Sequence, residues 1–274
     1  MKKLLPLVII FVLLAGFLSW KVFFKKKPVE EVVRPSKPKL ETINQLPIEE
    51  MPYVVLEPKS QTRPQDLGHW LTVTVDRVSD YQKVEYEVEY QAGSLIQGFM
   101  HRIDFNEEKA PFSKEGFFGS ESKGKYKYDE DVAEGSVLLR FYKTGEEADV
   151  LKTNFNLQNM GEKEAVFNSQ DGKAVLEVGR NDLNKADFLI IASTLGLPAE
   201  VKEKVISKPY GFYSHEQVKL TKAILTFKSS QDLTGAKILG WDGQKWNQYQ
   251  ATVKDGQASA EVDQLGTFVL VAEK

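Results

Sequence analysis

Hydrophobic alternation with a period of two recurs along the chain beyond residue 65, and no other feature narrows the fold as much. In Val84-Glu-Tyr-Glu-Val-Glu-Tyr90, Val84, Tyr86, Val88 and Tyr90 fall on one side of an extended backbone and Glu85, Glu87 and Glu89 on the other. Leu71 to Asp76 repeats the pattern. Such stretches bury one face and wet the other, whereas no stretch between residues 67 and 158 has helical periodicity. Further strands are predicted at 98–105, 112–118, 125–128, 136–142 and 150–157. Turn-forming clusters separate them: Ala92-Gly93-Ser94, Asn106-Glu107, Ser122-Lys123-Gly124 and Thr144-Gly145-Glu146.

About seven strands in roughly 90 residues is the spacing of an antiparallel, immunoglobulin-like β-sandwich, predicted here for residues 65–158. Residues 159–274 are predicted to form a second β-sandwich. There Ala165-Val-Phe167 and Ala174-Val-Leu-Glu-Val178 flank an Asp171-Gly172 hairpin turn. Phe188-Leu-Ile-Ile-Ala192 is a continuous apolar run of strand length. Leu197 to Val205 reads either as one short helix or as a loop. Strands resume at 218–220, 223–227, 236–241, 245–252, 257–262 and 266–272, with turns at Gly235, Asp242-Gly243 and Asp255-Gly256.

Ahead of these units the composition changes. Seven of the eleven prolines lie between Pro28 and Pro64, which disfavours helices and central strands. Residues 28–64 are therefore expected to be a Pro-rich stalk, up to about 110 Å long if wholly polyproline-like. The competing reading makes Tyr53-Val-Val-Leu56 the first strand of the next unit. From Leu4 to Phe24 the chain is almost unbroken in apolar character, with Lys2 and Lys3 before it and Lys25, Lys26 and Lys27 after it. Roughly 20 apolar residues match a hydrocarbon core about 30 Å thick. The run ends in bulky Phe17-Leu-Ser-Trp20 instead of a small-residue cleavage site, so residues 1–27 are expected to be an uncleaved transmembrane signal anchor. The flanking lysines, counted strictly, favour a cytoplasmic body. Glu30, Glu31 and a Met-Lys-Lys start of the kind common in exported bacterial chains favour the other side, and an extracytoplasmic body is expected. The fold class is thus all-β: two antiparallel β-sandwich domains behind an N-terminal transmembrane helix and a Pro-rich linker.

The C-terminal part carries a recognisable series: Ile224-Leu-Thr-Phe227, Ile238-Leu-Gly-Trp-Asp-Gly-Gln-Lys-Trp246, Val253-Lys-Asp-Gly256, Gln257-Ala-Ser-Ala-Glu-Val262 and Leu265-Gly-Thr-Phe-Val-Leu270, preceded by Lys208-Pro-Tyr-Gly-Phe-Tyr213. It resembles a β-sandwich module common in bacterial surface proteins and similar to the sandwich of ankyrins and netrin receptors. The resemblance implies a structural or adhesive setting at a surface and carries no catalytic residues.

Candidate chemistry is sparse. A net charge of −3 with 27% charged residues implies no nucleic-acid partner. With no cysteine, disulfides, thiol nucleophiles and thiolate zinc sites are excluded. His69, His101 and His215 lack the spacing of helical zinc pairs, and Gly119-Ser-Glu-Ser122 lacks a nucleophile elbow. Asp104 with Glu115, or Asp129 with Glu130, are the carboxylate pairs open to a glycosidase reading. Asp129-Glu-Asp131 is the turn open to calcium, without EF-hand spacing. No catalytic residue, metal site or cofactor is expected. Trp241, Trp246 and Tyr249 around the Asp242-Gly243 turn are the candidate ligand contacts, for stacking on sugar rings, with packing as the alternative; Phe117, Phe118, Tyr126 and Tyr128 are expected to form a core seam. The function expected is that of a membrane-anchored, non-enzymatic surface protein, held by residues 4–24, that binds an unidentified protein or glycan. The alternatives are an accessory subunit of an envelope enzyme or secretion complex, and a glycan-binding module.

Overall fold

The computed structural model describes residues 42–59, 66–106, 109–145, 147–159, 165–179, 182–183, 188–216 and 218–273. The predicted transmembrane helix and the first part of the predicted stalk lie outside the described residues. Twenty strands and no α-helix make up the described secondary structure. The first nine are β1 (Tyr53–Pro58), β2 (Trp70–Asp76), β3 (Lys83–Ala92), β4 (Leu95–Asp104), β5 (Phe112–Phe117), β6 (Gly119–Ser122), β7 (Lys125–Tyr128), β8 (Val132–Tyr142) and β9 (Ala148–Asn159). Then come β10 (Val166–Asn168), β11 (Ala174–Glu177), β12 (Phe188–Ser193), β13 (Lys204–Val205), β14 (Tyr210–Ser214) and β15 (Lys219–Lys228). The last five are β16 (Lys237–Trp241), β17 (Trp246–Gln250), β18 (Thr252–Lys254), β19 (Gln257–Gln264) and β20 (Gly266–Ala272). The chain is all-β.

Every pairing is antiparallel, in four sheets. One is β1-β2-β5, one is β10-β11-β15-β19-β18, and β6-β7 is a separate hairpin. The largest has ten strands in the order β17-β16-β20-β14-β12-β9-β8-β3-β4, with β13 also paired to β20. In β3 the alternation acts as the sequence suggests, since Val84, Tyr86, Val88 and Tyr90 are buried while the glutamates point away.

The apolar run at β12 explains how the body is put together. Alternate residues of a strand face opposite sides of its sheet, and here both sides are covered. Phe188, Ile190 and Ala192 belong to one core, which they share with β1, β2, β3, β5, β8 and β9. Leu189 and Ile191 belong to a second core, shared with β11, β14, β15, β16, β19 and β20. Strand β12 pairs with β9 on one side and β14 on the other. The two cores therefore lie on opposite faces of one continuous sheet. A strand wetted on neither face has no reason to alternate, hence five apolar residues in a row. The boundary expected between 158 and 159 falls inside β9, so the two predicted domains are hydrogen-bonded to each other through a shared sheet.

At two other stretches the structure decides between readings that the sequence leaves open. The stalk predicted for 28–64 gives way at 53–58 to the competing reading, because β1 is a strand with Val54 and Leu56 buried. Pro52 precedes β1 and Pro58 ends it, on a strand at the edge of its sheet where a missing N–H is tolerated. Residues 197–205 form no helix. They run as turns into β13 and place Leu197, Val201 and Val205 over Leu239, Val269 and Val271, a third apolar cluster.

Strand β1 also reaches the other half of the large sheet. Val54 bridges to Leu195, and the Tyr53 hydroxyl hydrogen-bonds Thr267 Oγ1 at 2.6 Å. The Tyr213 hydroxyl shares that Thr267 oxygen, with its ring laid over Gly211, where a Cβ would stand 2.1 Å from the ring.

Candidate functional site

The turn after β16 is built by Asp242, whose Oδ1 accepts hydrogen bonds from the Gln244 and Lys245 amides at 2.8 Å each. Those amides hold the Asp242 carboxyl below the usual carboxylate range. The turn sets Trp241 directly opposite Trp246, and the rings meet edge to face, centroids 5.5 Å apart. Trp246 packs on the third cluster and points its indole N–H at the Ala199 carbonyl, 3.4 Å away. Tyr249 faces the other way. Three positions from Trp246, it lies on the opposite side of β17, against Phe268, with its hydroxyl donated to Asp263 at 2.6 Å. Burial and the Asp263 carboxylate push the Tyr249 phenol above its ordinary value. Of the three expected ligand contacts, the structure brings Trp241 and Trp246 together and puts Tyr249 on the other face.

The expected seam at 117–128 also divides. Phe118 is in the first core. Phe117, Tyr126 and Tyr128 instead gather with Trp70 outside it: Trp70 lies 5.2 Å from Phe117 and 5.7 Å from Tyr126. Tyr128 donates to Asp66 at 2.7 Å, accepts from the Trp70 indole at 3.1 Å and stacks on His69 at 4.5 Å. Tyr126 is 45% exposed, and Lys59 caps Trp70 at 4.1 Å.

The remaining candidates have structural partners. His101 contacts Tyr86 and Phe99, and His215 stacks on Phe188. Asp104 is paired with Arg102 at 2.5 Å and Glu115 with Lys59 at 2.6 Å. Asp129 accepts the Tyr90 hydroxyl at 2.8 Å. Among the described residues no three His, Asp or Glu side chains are grouped to hold a metal ion.

A surface missed by sequence reasoning is β4. It ends the ten-stranded sheet, so one side of its backbone has no strand partner among the described residues. Leu95, Ile96 and Met100 on it are 60%, 77% and 69% exposed. Edge strands are ordinarily blunted by Pro, Lys or a bulge. Strand β4 has no Pro or Lys, its charged Arg102 and Asp104 pair with each other at its far end, and its ladder with β3 runs without a shift from Ala92 opposite Leu95 to Lys83 opposite Asp104. Ile96 and Met100 are four apart and share a face, with Gly98 between them. The one detectable signal was apolar residues at 95, 96, 99 and 100 beside the Ala92-Gly93-Ser94 turn, and these read equally well as core.

Comparisons with family models, with curated proteins and with solved structures give no match.

Proposed function

We propose that the chain is a non-catalytic binding protein of a bacterial surface, anchored by residues 4–24, whose folded body takes up an extended segment of a partner protein along β4. In this reading each core is a β-sandwich, the first of immunoglobulin-like kind and the second of the surface-module kind that residues 208–270 resemble. The body lies outside the membrane, and within an assembly it serves as an accessory subunit. The observation that supports binding is the ten-residue edge strand β4 with Leu95, Ile96 and Met100 exposed on it. Adding a strand there satisfies free main-chain groups, and an occupant with apolar residues at every second position covers Ile96 and Met100. A photo-crosslinking residue at 96 in intact cells is expected to yield one discrete protein adduct. Met100→Lys is expected to abolish it while changing stability by no more than about 0.5 kcal/mol, because Met100 touches no core. An adduct that survives Met100→Lys, or that arises equally from the exposed position 224, overturns the edge reading. Recovery of a soluble chain trimmed near Trp20 overturns the anchor.

A second reading, glycan binding, is favoured by the Trp70, Phe117, Tyr126 and Tyr128 cluster, with Tyr126 open to solvent. Stacking a sugar ring on such a side chain supplies roughly 1 kcal/mol or more. On a glycan array, Tyr126→Ala is expected to remove any signal and Trp246→Ala to leave it, whereas the reverse result moves the site to the β16–β17 hairpin.

A further inference from the structure

Where the two cores meet, residues 43–51, strand β9 and the turns at 205–210 and 227–231 enclose a cleft of about 650 Å³. Its lining is unusual in charge. Lys152, Lys173, Lys208 and Lys228 all border it, and among the described residues no carboxylate does, in a protein whose net charge is −3. None of the four is in an ion pair with a described carboxylate. Asp171 lies close enough to be stabilised by Lys208, but its oxygens are committed to the Tyr210 hydroxyl, the Ser169 hydroxyl and the Lys173 amide. The rest of the lining is mixed: Ile43, Leu46, Ile48 and Met51 supply apolar surface, with serines and amides beside them. Thr194 also lines the cleft; it is 4% exposed, and its buried hydroxyl has no hydrogen-bond partner. A buried hydroxyl left unpaired costs about 1–3 kcal/mol, so a bound acceptor would relieve it.

We infer that this cleft is a binding site for a small organic anion, a phosphate or carboxylate head held by the lysines and the Thr194 hydroxyl, with an apolar body against Ile43, Leu46, Ile48 and Met51. The lysines supply charge and the wall supplies desolvation, so neither a bare anion nor a neutral apolar molecule uses the whole site. Because the lining comes from segments as far apart as 43 and 231, the site exists only while the shared sheet holds both cores together. It is independent of β4.

Phenyl phosphate, titrated by isothermal calorimetry into the full chain in lipid nanodiscs, tests this, with inorganic phosphate and benzyl alcohol as the head-only and body-only arms. Phenyl phosphate is expected to bind at least about tenfold more tightly than either, and more weakly as salt rises. The double variant Lys173→Gln/Lys208→Gln is expected to weaken it about tenfold or more, the loss appropriate to hydrogen bonds from charged groups. Thr194→Val is expected to weaken binding several-fold while leaving the melting temperature equal or higher, since it deletes an unpaired hydroxyl without changing side-chain volume. Equal binding of phenyl phosphate and inorganic phosphate, equal binding of benzyl alcohol, or affinity indifferent to the lysine pair overturns the proposal. Weakening by Thr194→Val only in step with a lowered melting temperature overturns the role of the hydroxyl.

Discussion

Truncating Ile190 or Ile191 to Ala is expected to destabilise the folded body by about 2–5 kcal/mol in each case, the range for buried Ile replaced by Ala. The two residues are neighbours in β12, both 0% exposed, yet they serve different cores: Ile190 packs into the first and Ile191 into the second. If the cores were independent units, calorimetry would show two transitions, with Ile190→Ala lowering one and Ile191→Ala the other. The shared sheet forbids that separation. Strand β12 is hydrogen-bonded to β9 of the first core through five residue pairs and to β14 of the second through five, so loss of either core strips a covering layer from the same backbone. A single cooperative transition is expected, lowered by both variants to a similar degree. Ile224, of the same residue type but 43% exposed on β15, is the control: Ile224→Ala is expected to shift stability by no more than about 0.5 kcal/mol. Two resolved transitions, each answering to only one of the β12 variants, would sink the shared-sheet account.

Strand β12 also marks the limit of what the sequence discloses. The alternation of Val84 to Tyr90 states which face is buried, because only one face is. In Phe188 to Ala192 the apolar run states that both faces are buried and leaves open what buries them. Its partners, β9 and β14, are ordinary strands, and nothing local distinguishes pairing across the two cores from pairing within one. Prolines misled in the opposite sense. Pro52 and Pro58 suggest stalk, yet one precedes and the other ends a six-residue edge strand whose Val54 and Leu56 enter the first core. The splitting of Trp246 from Tyr249 was legible, since residues an odd number apart in a strand face opposite ways. The edge position of β4 was not, because Ile96 and Met100 look like core residues until the strand order is known. The lysine cleft was least legible of all, being assembled from segments distant in the chain.

High pH is expected to unfold the body well before the backbone itself is attacked, and the tyrosines set where. Tyr53, Tyr81, Tyr86, Tyr90, Tyr142, Tyr210, Tyr213 and Tyr249 all have phenols raised above their ordinary value, with burial as the largest cause in every one. Tyr53 is pushed up to about 12 from 10.0, with Glu57 and Asp76 adding to the effect of burial and the Thr267 hydroxyl opposing it. Below pH 10 folded and unfolded chains both keep their phenolic protons, so none of this stability is lost. Above it the unfolded chain ionises first and binds fewer protons than the folded one, so stability falls as pH rises. Each unit of separation is worth about 1.4 kcal/mol per group, which for Tyr53 alone reaches about 2 kcal/mol by pH 12. With several other tyrosines falling in the same direction, a total stability of about 5–15 kcal/mol is expected to be exhausted between roughly pH 10 and 12. Ultraviolet absorbance of phenolate and the circular dichroism of the strands should therefore change together in one steep step. Tyr53→Phe removes one ionisable group from the β1–β14–β20 contact. It is expected to cost about 1 kcal/mol at neutral pH for the lost hydrogen bond and to make the alkaline step shallower. If most tyrosines ionise near pH 10 while the strand signal persists, the buried hydroxyls described at Tyr53, Tyr213 and Thr267 do not exist in solution. The packing of β1 onto the far half of the sheet would then fail with them.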